Sequence, residues 1–144
     1  MSAEPLNIQE FNTITGLIFA QLHKAFPGVE DIDRAAIAKA MGVAGDDWSK
    51  HMLPSGRSFD KALAILWWLN AEEYIRAYGA HSSQNVMLTT KGLSATNAVP
   101  SGLKESLGTE LRKAVDEGST SNLSRIGDLI GGFFGGFAKS IGSG

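Results

Sequence analysis

Apolar residues recur every three or four positions over the first part of the chain. This spacing places them on one face of a helix, so residues 7–26 are predicted to form an amphipathic helix that ends at Pro27-Gly28. A second, shorter helix is predicted over 34–41, with Asp31 or Asp33 as its N-cap. The apolar face of the first helix consists of Ile8, Phe11, Ile14 or Thr15, Ile18, Leu22 and Phe26.

The stretch from Ser58 to Tyr74 predicts a third helix with two different faces. Ser58 can cap it, because a serine hydroxyl accepts from first-turn amides that have no partner. At about 100° per residue, one side should enter the core and the other should face outward. Trp68 is on the outward side, where we expect a neighbouring element or a partner to cover it. The predicted core side holds Phe59, Ala62, Leu63, Leu66, Trp67 and Leu69, and the outward side holds Asp60, Lys61, Ala64, Trp68 and Glu72.

A β-hairpin and a further helix are predicted after the third helix. Tyr74-Ile75 and Val86-Met87-Leu88 are short β-prone runs on either side of a loop that contains Gly, Ser and Asn. Thr89 or Thr90 can cap the helix that comes next. The order is therefore helix, strand, loop, strand and helix.

This order of elements, together with the run Leu88-Thr89-Thr90-Lys91-Gly92-Leu93, resembles the winged-helix family over about residues 8–97. The run is similar to the L-T-x-K-G step that follows the wing in many members. The resemblance implies a mainly α fold of the α+β class, with a small β-hairpin wing followed by C-terminal helices. Segment 42–56, predicted to be a loop with a helical turn around Trp48, is longer than the turn of a simple helix-turn-helix.

Winged-helix members include dimeric DNA binders and protein-interaction modules, so the fold leaves both roles open. If the chain follows the DNA-binding members, Lys50, Arg57, Ser58 and Lys61 would contact DNA around the third helix, and Arg76 from the wing. A net charge of −2 argues against strong phosphate binding and favours a solvated surface of mixed charge. The acidic residues of the same region are Asp46, Asp47, Asp60 and Glu72.

Residues after 97 are predicted to lie outside the winged-helix-like domain. Segment 98–122 reads as a linker followed by an amphipathic helix that ends at Gly118, with apolar residues at four-residue steps. Segment 123–144 is a Gly/Phe-rich amphipathic tail, and 1–97 is the domain itself. The four-residue stripe consists of Leu103, Leu107, Leu111 and Val115.

The tail has one apolar side and one glycine side if it is helical. The glycines repeat as G-x-x-x-G, a spacing that lets helix backbones approach closely. Each interior glycine costs a helix roughly 1 kcal/mol relative to alanine, so the tail needs a packing partner. That partner is the rest of the chain, another copy or a membrane interface. Residues predicted to contact a copy or a partner are Trp68, Ile126, Gly127, Ile130, Gly131, Phe133, Phe134, Gly135 and Phe137.

Candidate catalytic chemistry is sparse. The absence of cysteine removes disulfides, thiolate catalysis and cysteine-based metal sites. His23, His51 and His81 are far apart and match no metal-binding spacing. We therefore predict a protein that is not an enzyme, with no cofactor, no metal and no small-molecule substrate. The N-terminus resembles no secretion signal and no run reaches the roughly 20 apolar residues of a membrane span, so a cytoplasmic location is expected.

The combined expectation is a non-catalytic winged-helix protein that acts by association, as a homo-oligomer or with a protein partner, through Trp68 and the Gly/Phe helix. One alternative is a DNA-binding transcriptional regulator. Another is a soluble domain that brings its tail to a membrane surface.

Overall fold

The computed structural model describes residues 6–42, 51–79, 81–118 and 120–143, and their side chains except for 51–52, 120–121 and 136–143. Two compact units are present: a central unit, Gln21–Leu93, and a terminal unit that combines Met1–Ala20 with Ser94–Gly144. The described parts are mainly helical with small antiparallel sheets, which confirms the predicted α+β class. The elements are α1 (Leu6–Ala25), α2 (Arg34–Met41), β1 (His51–Met52), β2 (Ser58–Phe59), α3 (Lys61–Ala71), β3 (Ile75–Ala77), β4 (Val86–Leu88), α4 (Thr90–Asn97), α5 (Leu107–Glu117) and α6 (Thr120–Ser143).

Capping residues fix the starts of α2 and α3 in the central unit. Asp33 caps α2, as predicted, by accepting from the Ala36 amide at 2.9 Å. The prediction that Ser58 caps α3 is wrong. Asp60 is the N-cap and accepts from the Leu63 amide at 2.9 Å, while its second carboxylate oxygen pairs with Arg34. Ser58 lies in β2, so its backbone is already used in strand pairing.

The predicted hairpin is confirmed as the antiparallel pair β3–β4, with Ile75 opposite Leu88. Two features of the central unit were not predicted. Glu30 forms a bridge to Val86 with N···O distances of 2.8 and 2.9 Å, which adds a third segment beside β4. Strands β1 and β2 form a second small hairpin at the end of the stretch predicted to be a loop. The helical turn predicted around Trp48 lies outside the described residues.

The buried side of α3 is rotated relative to the prediction. Ile65 is 6% exposed, whereas Trp67, predicted to be in the core, is 70% exposed. The reason is that apolar residues at three- and four-residue steps from Ala62 define a narrow stripe, and Trp67 falls outside it. The buried residues of α3 are Ala62, Ile65, Leu66 and Leu69.

In the terminal unit, α6 packs against α5 and against the part of α1 that belongs to this unit. Gly16 of α1 makes this possible, because an added Cβ would clash with Ile126 and lie 3.2 Å from side-chain atoms of Leu111 and Ile130. Ser106 caps α5, and Gly118 ends it in the left-handed conformation at φ 68°, as predicted for the glycine. The unit thus brings Gly16 together with Leu111, Ile126 and Ile130, which are roughly 95 to 114 positions later in the chain.

Candidate interaction surfaces

Over residues 122–135, whose side chains the structure describes, helix α6 has one face packed against the chain and one open face. Ile126 and Ile130 are 1% and 0% exposed and pack beside Gly16 of α1. Gly132 and Gly135 are exposed on the other side, and apart from their chain neighbours and the local helix backbone no described atom lies within 4 Å of where their Cβ atoms would be. An added Cβ on Gly127, by contrast, would lie 2.9 Å from the Thr13 hydroxyl oxygen, so Gly127 and Gly135, which the sequence singled out, do not share one environment.

Beside the open face, a groove of about 670 Å³ lies between α6 and the segment before α5, within the terminal unit. Leu129 and Phe133 contribute apolar side chains from α6, and Val99, 55% exposed, contributes one from the opposite wall. Gly132 also lines the groove, so nothing projects from α6 at that point. The groove therefore offers an apolar lining and room for a side chain.

Two charged residues on α6 also line this groove. Arg125 donates to a carboxylate oxygen of Glu110 at 2.5 Å, and Glu110 is 7% exposed. This ion pair neutralises a buried acid, and it holds the Arg125 guanidinium against α5. Asp128 is exposed. Its carboxylate is therefore in position to meet an incoming group.

The described phenylalanines of the tail lie against each other and against α1. Phe134 is 6.0 Å from Phe11 and 5.2 Å from Phe133, measured between ring centroids. Phe133, Phe134, Gly127 and Gly131 are half-buried. The side chain of Phe137 lies outside the described residues. Contact of these residues with another molecule stays a prediction.

Trp68 belongs to an aromatic stack in the central unit. It is 42% exposed and stacks on Tyr74, with ring centroids 6.5 Å apart and planes at 17°. The Lys91 ammonium lies 4.3 Å from the Tyr74 ring centroid, and donates to the Glu72 carbonyl oxygen at 2.9 Å. Burial, together with the negative charge of Glu72, raises the pKa of Tyr74 above 10.0. The stack therefore contains a neutral phenol at physiological pH.

Most of this stack was not predicted from the sequence, because its members come from different elements. Trp68 is on α3, Tyr74 precedes β3, and Lys91 is in the first turn of α4. Gly92 permits the approach of α4, since an added Cβ would clash with the Tyr74 carbonyl oxygen. The run from Leu88 to Leu93 carried a signal for this contact, because it places a lysine and a glycine after the cap residue Thr89.

The residues predicted to contact DNA are not all on the helix that was expected to carry them. Arg57 and Ser58 are exposed at the β1–β2 hairpin, and Arg76 is exposed on β3. Lys61 is half-buried at the first position of α3, and Lys50 lies outside the described residues. The exposed residues in the middle and C-terminal half of α3 are Ala64, Trp67, Trp68 and Ala71. This part of the helix therefore offers apolar contact area.

Within the described residues, no three His, Asp or Glu side chains are grouped so that they could hold a metal ion. Over the same residues, no helix is both long and apolar enough to span a bilayer. Comparison of the chain with protein-family models, with curated proteins and with solved structures gives no match.

Proposed function

We propose that this chain is a non-catalytic interaction protein with a winged-helix-like central part that self-associates through the open face of α6. The winged-helix layout is supported by the order of elements from α1 to α4 and by the β3–β4 hairpin. The bridge from Glu30 to Val86 adds support, because it places a third segment beside the hairpin. In the sequence, this segment lies between α1 and α2.

One observation carries the proposal: along the described part of α6, the face with Ile126 and Ile130 packs against the chain, while Gly132 and Gly135 have open space beside them. Ile126 and Ile130 already supply the packing that holds α6 in the terminal unit. The opposite face keeps Gly132 and Gly135, although each costs a helix roughly 1 kcal/mol relative to alanine. Open glycines do not help intramolecular packing, but they let a second helix come within backbone contact distance. The adjoining groove provides room for apolar side chains of that helix.

The spacing of charges on α6 favours a second copy as its partner. Asp128 precedes Gly132 by four positions, and Lys139 follows Gly135 by four. At about 100° per residue, these four positions fall within a helical arc of about 60°. In a two-fold antiparallel pair, Gly132 of one copy would face Gly135 of the other, and Asp128 would face position 139. Each ion pair would then occur twice, which is the self-complementarity of an isologous dimer.

DNA binding has less support as an alternative. The exposed residues of α3 from Ala64 to Ala71 include none that neutralises phosphate, and Asp60 at its start is a carboxylate. Arg57 and Arg76 remain exposed cations that a DNA-binding role would use.

Sedimentation equilibrium of the full chain and of Gly132→Leu tests self-association. The substitution fills open space and improves helix propensity, so α6 should stay folded while close helix pairing is blocked. Ala40→Leu, an added leucine at an exposed position of α2, is the matched control. We expect a concentration-dependent dimer for the full chain and the control, and a monomer for Gly132→Leu.

A full chain that is monomeric at every concentration, or a Gly132→Leu variant that dimerises as well as the control, would overturn the proposal. Vesicle flotation of the same samples separates the membrane alternative. A monomer that floats with vesicles only when Phe133 is present would assign the tail to a lipid surface instead.

A further inference from the structure

The C-terminal half of α3 exposes two large aromatic side chains side by side. Trp67 is 70% exposed and Trp68 is 42% exposed. Exposed Ala64 and Ala71 lie on the same side of the helix, and their small side chains leave both indoles accessible. Tryptophan offers a larger apolar contact area than most residues, and exposed apolar patches commonly mark interaction sites. This surface is confined to the central unit and shares no residue with α6.

One side of the surface is held by contacts within the central unit. Trp68 stacks on Tyr74, which is 6% exposed, and Tyr74 is held between this indole and Lys91. The turn between α3 and β3 is also tied to the start of α4. The Thr89 hydroxyl donates to the Glu73 carbonyl oxygen in that turn and accepts from the Gly92 amide at 3.1 Å. A preorganised indole loses little conformational entropy when a ligand contacts it.

The charge next to the two indoles is negative. Glu72 and Glu73 are exposed where α3 ends, and a helix C-terminus carries a partial negative charge of its own. Lys91 is a nearby cation, and its ammonium is engaged with the Tyr74 ring and the Glu72 carbonyl oxygen. Lys61 is at the opposite end of α3, about two helical turns from Trp68. The C-terminal end of α3 therefore combines exposed indoles with exposed carboxylates.

We infer that Trp67, Trp68 and Glu72 form a docking site for a basic peptide segment of a partner protein. An arginine or lysine of that segment would lie over an exposed indole face, where the ring quadrupole attracts a cation. Glu72 is one helical turn from Trp68, so its carboxylate would interact with the same charge. A polyanion such as nucleic acid would meet like charge at this position.

This site differs from the α6 face in both location and partner. The partner of this site is selected by its positive charge, whereas the partner of the α6 face is selected by its ability to pack closely against a helix. Each can therefore be tested while the other is disabled.

Calorimetric titration of the full chain with the peptide Gly-Arg-Gly-Arg-Gly-Arg-Gly at low ionic strength tests the inference. The citrulline analogue of the peptide keeps its shape but removes its charge. We expect binding of the arginine peptide, loss of binding for the citrulline peptide, and weakening with added salt. Trp67→Ser should weaken binding roughly three- to tenfold, the range typical of a cation–π contact, and Trp67→Phe should retain part of it.

Glu72→Gln and Asp116→Asn provide the matched comparison. Each removes one exposed negative charge, but Asp116 is on α5 in the terminal unit. We expect Glu72→Gln to weaken peptide binding severalfold and Asp116→Asn to leave it unchanged. Equal weakening by both would show an effect of net charge alone and would overturn the site.

Equal binding of the citrulline peptide, or unchanged binding by Trp67→Ser, would also overturn the site. Because Trp67 is exposed, its replacement should leave the helical circular dichroism and the unfolding midpoint unchanged, and this is checked on the same sample. Repeating the titration with Gly132→Leu keeps the two proposals separate. If Gly132→Leu still binds the peptide, the peptide site is supported whether or not the chain self-associates through α6.

Discussion

Replacing Gly16 with alanine tests the packing of α6 on α1 most directly. Two opposing effects act on this substitution. Alanine favours a helix over glycine by about 1 kcal/mol. The new methyl group, however, would clash with Cγ2 of Ile126 and lie 3.2 Å from side-chain atoms of Leu111 and Ile130. Overpacking of this kind typically costs about 1–3 kcal/mol.

The overpacking should exceed the gain in helix propensity, for a structural reason. Cγ2 is attached to the β-branched carbon of Ile126, so it cannot swing away as the end of a long side chain can. Ile126 and Ile130 are also fully buried, which leaves neither a free direction to move. Overpacking of about 1–3 kcal/mol less a propensity gain of about 1 kcal/mol gives the net effect, so we expect Gly16→Ala to lower the free energy of unfolding by up to about 2 kcal/mol.

Urea unfolding followed by circular dichroism at 222 nm measures this change, at a protein concentration where the chain is monomeric. Gly132→Ala is the matched control, because it is also a helical glycine but has open space in place of neighbours. The control should gain up to about 1 kcal/mol from helix propensity alone. The two variants should therefore change stability in opposite directions.

A double variant strengthens the test. Ile126→Ala alone should cost about 2–5 kcal/mol, because it leaves a cavity beside Gly16. In the combination with Gly16→Ala, the added methyl group fills part of that cavity, so the total cost should be smaller than the sum of the single costs. If Gly16→Ala stabilises the protein as much as Gly132→Ala does, α6 does not pack on α1 as described.

Three further predictions concern charge and capping. The pKa of Tyr74 is raised above 10.0 in the folded state, so the stability that its neutral phenol contributes is full below pH 10 and is lost as the pH rises through the folded pKa. In Tyr74→Phe, the free energy of unfolding should not show this loss at alkaline pH. Asp128→Lys or Lys139→Asp alone should weaken the dimer in sedimentation, and the double reversal should restore it, whereas an additive loss would contradict the antiparallel pairing. Asp60→Ala should lower unfolding stability by about 1–2 kcal/mol through loss of the cap, and Ser58→Ala should change it by less than about 0.5 kcal/mol, as measured by urea unfolding.

Hydrophobic periodicity predicted the elements that are long enough to show a repeat. The face from Ile8 to Leu22 gave α1, and the Gly118 end of α5 was predicted from a single residue type. Strands β1 and β2 were missed because two residues cannot show an alternation. The start of α3 was misassigned because two cap-type residues, Ser58 and Asp60, stand two positions apart. Only strand pairing and the ion pair to Arg34 distinguish them.

The two candidate surfaces were harder to predict because each depends on contacts between distant residues. The tail pattern suggested close packing, but its intramolecular counterpart is Gly16, which looked like an ordinary residue of α1. Trp67 and Trp68 are neighbours in a largely apolar helix, so periodicity did not determine which of them would be buried. The stack on Tyr74 and the position of Lys91 depend on how α4 approaches β3. Such approaches are set by tertiary structure.

The contact between Gly16 and Ile126 has a consequence for how the protein is made. A ribosome delivers α6 only after about 100 residues beyond α1 have been synthesised. During that interval, the surface of α1 around Gly16 has no α6 to cover it, while the central unit can already complete its own contacts. Domains tend to fold as their residues emerge, and exposed apolar surface in the interim favours aggregation or chaperone capture. The terminal unit therefore closes only after α6 has been made, and a chain stalled before α6 would leave the surface of α1 around Gly16 exposed.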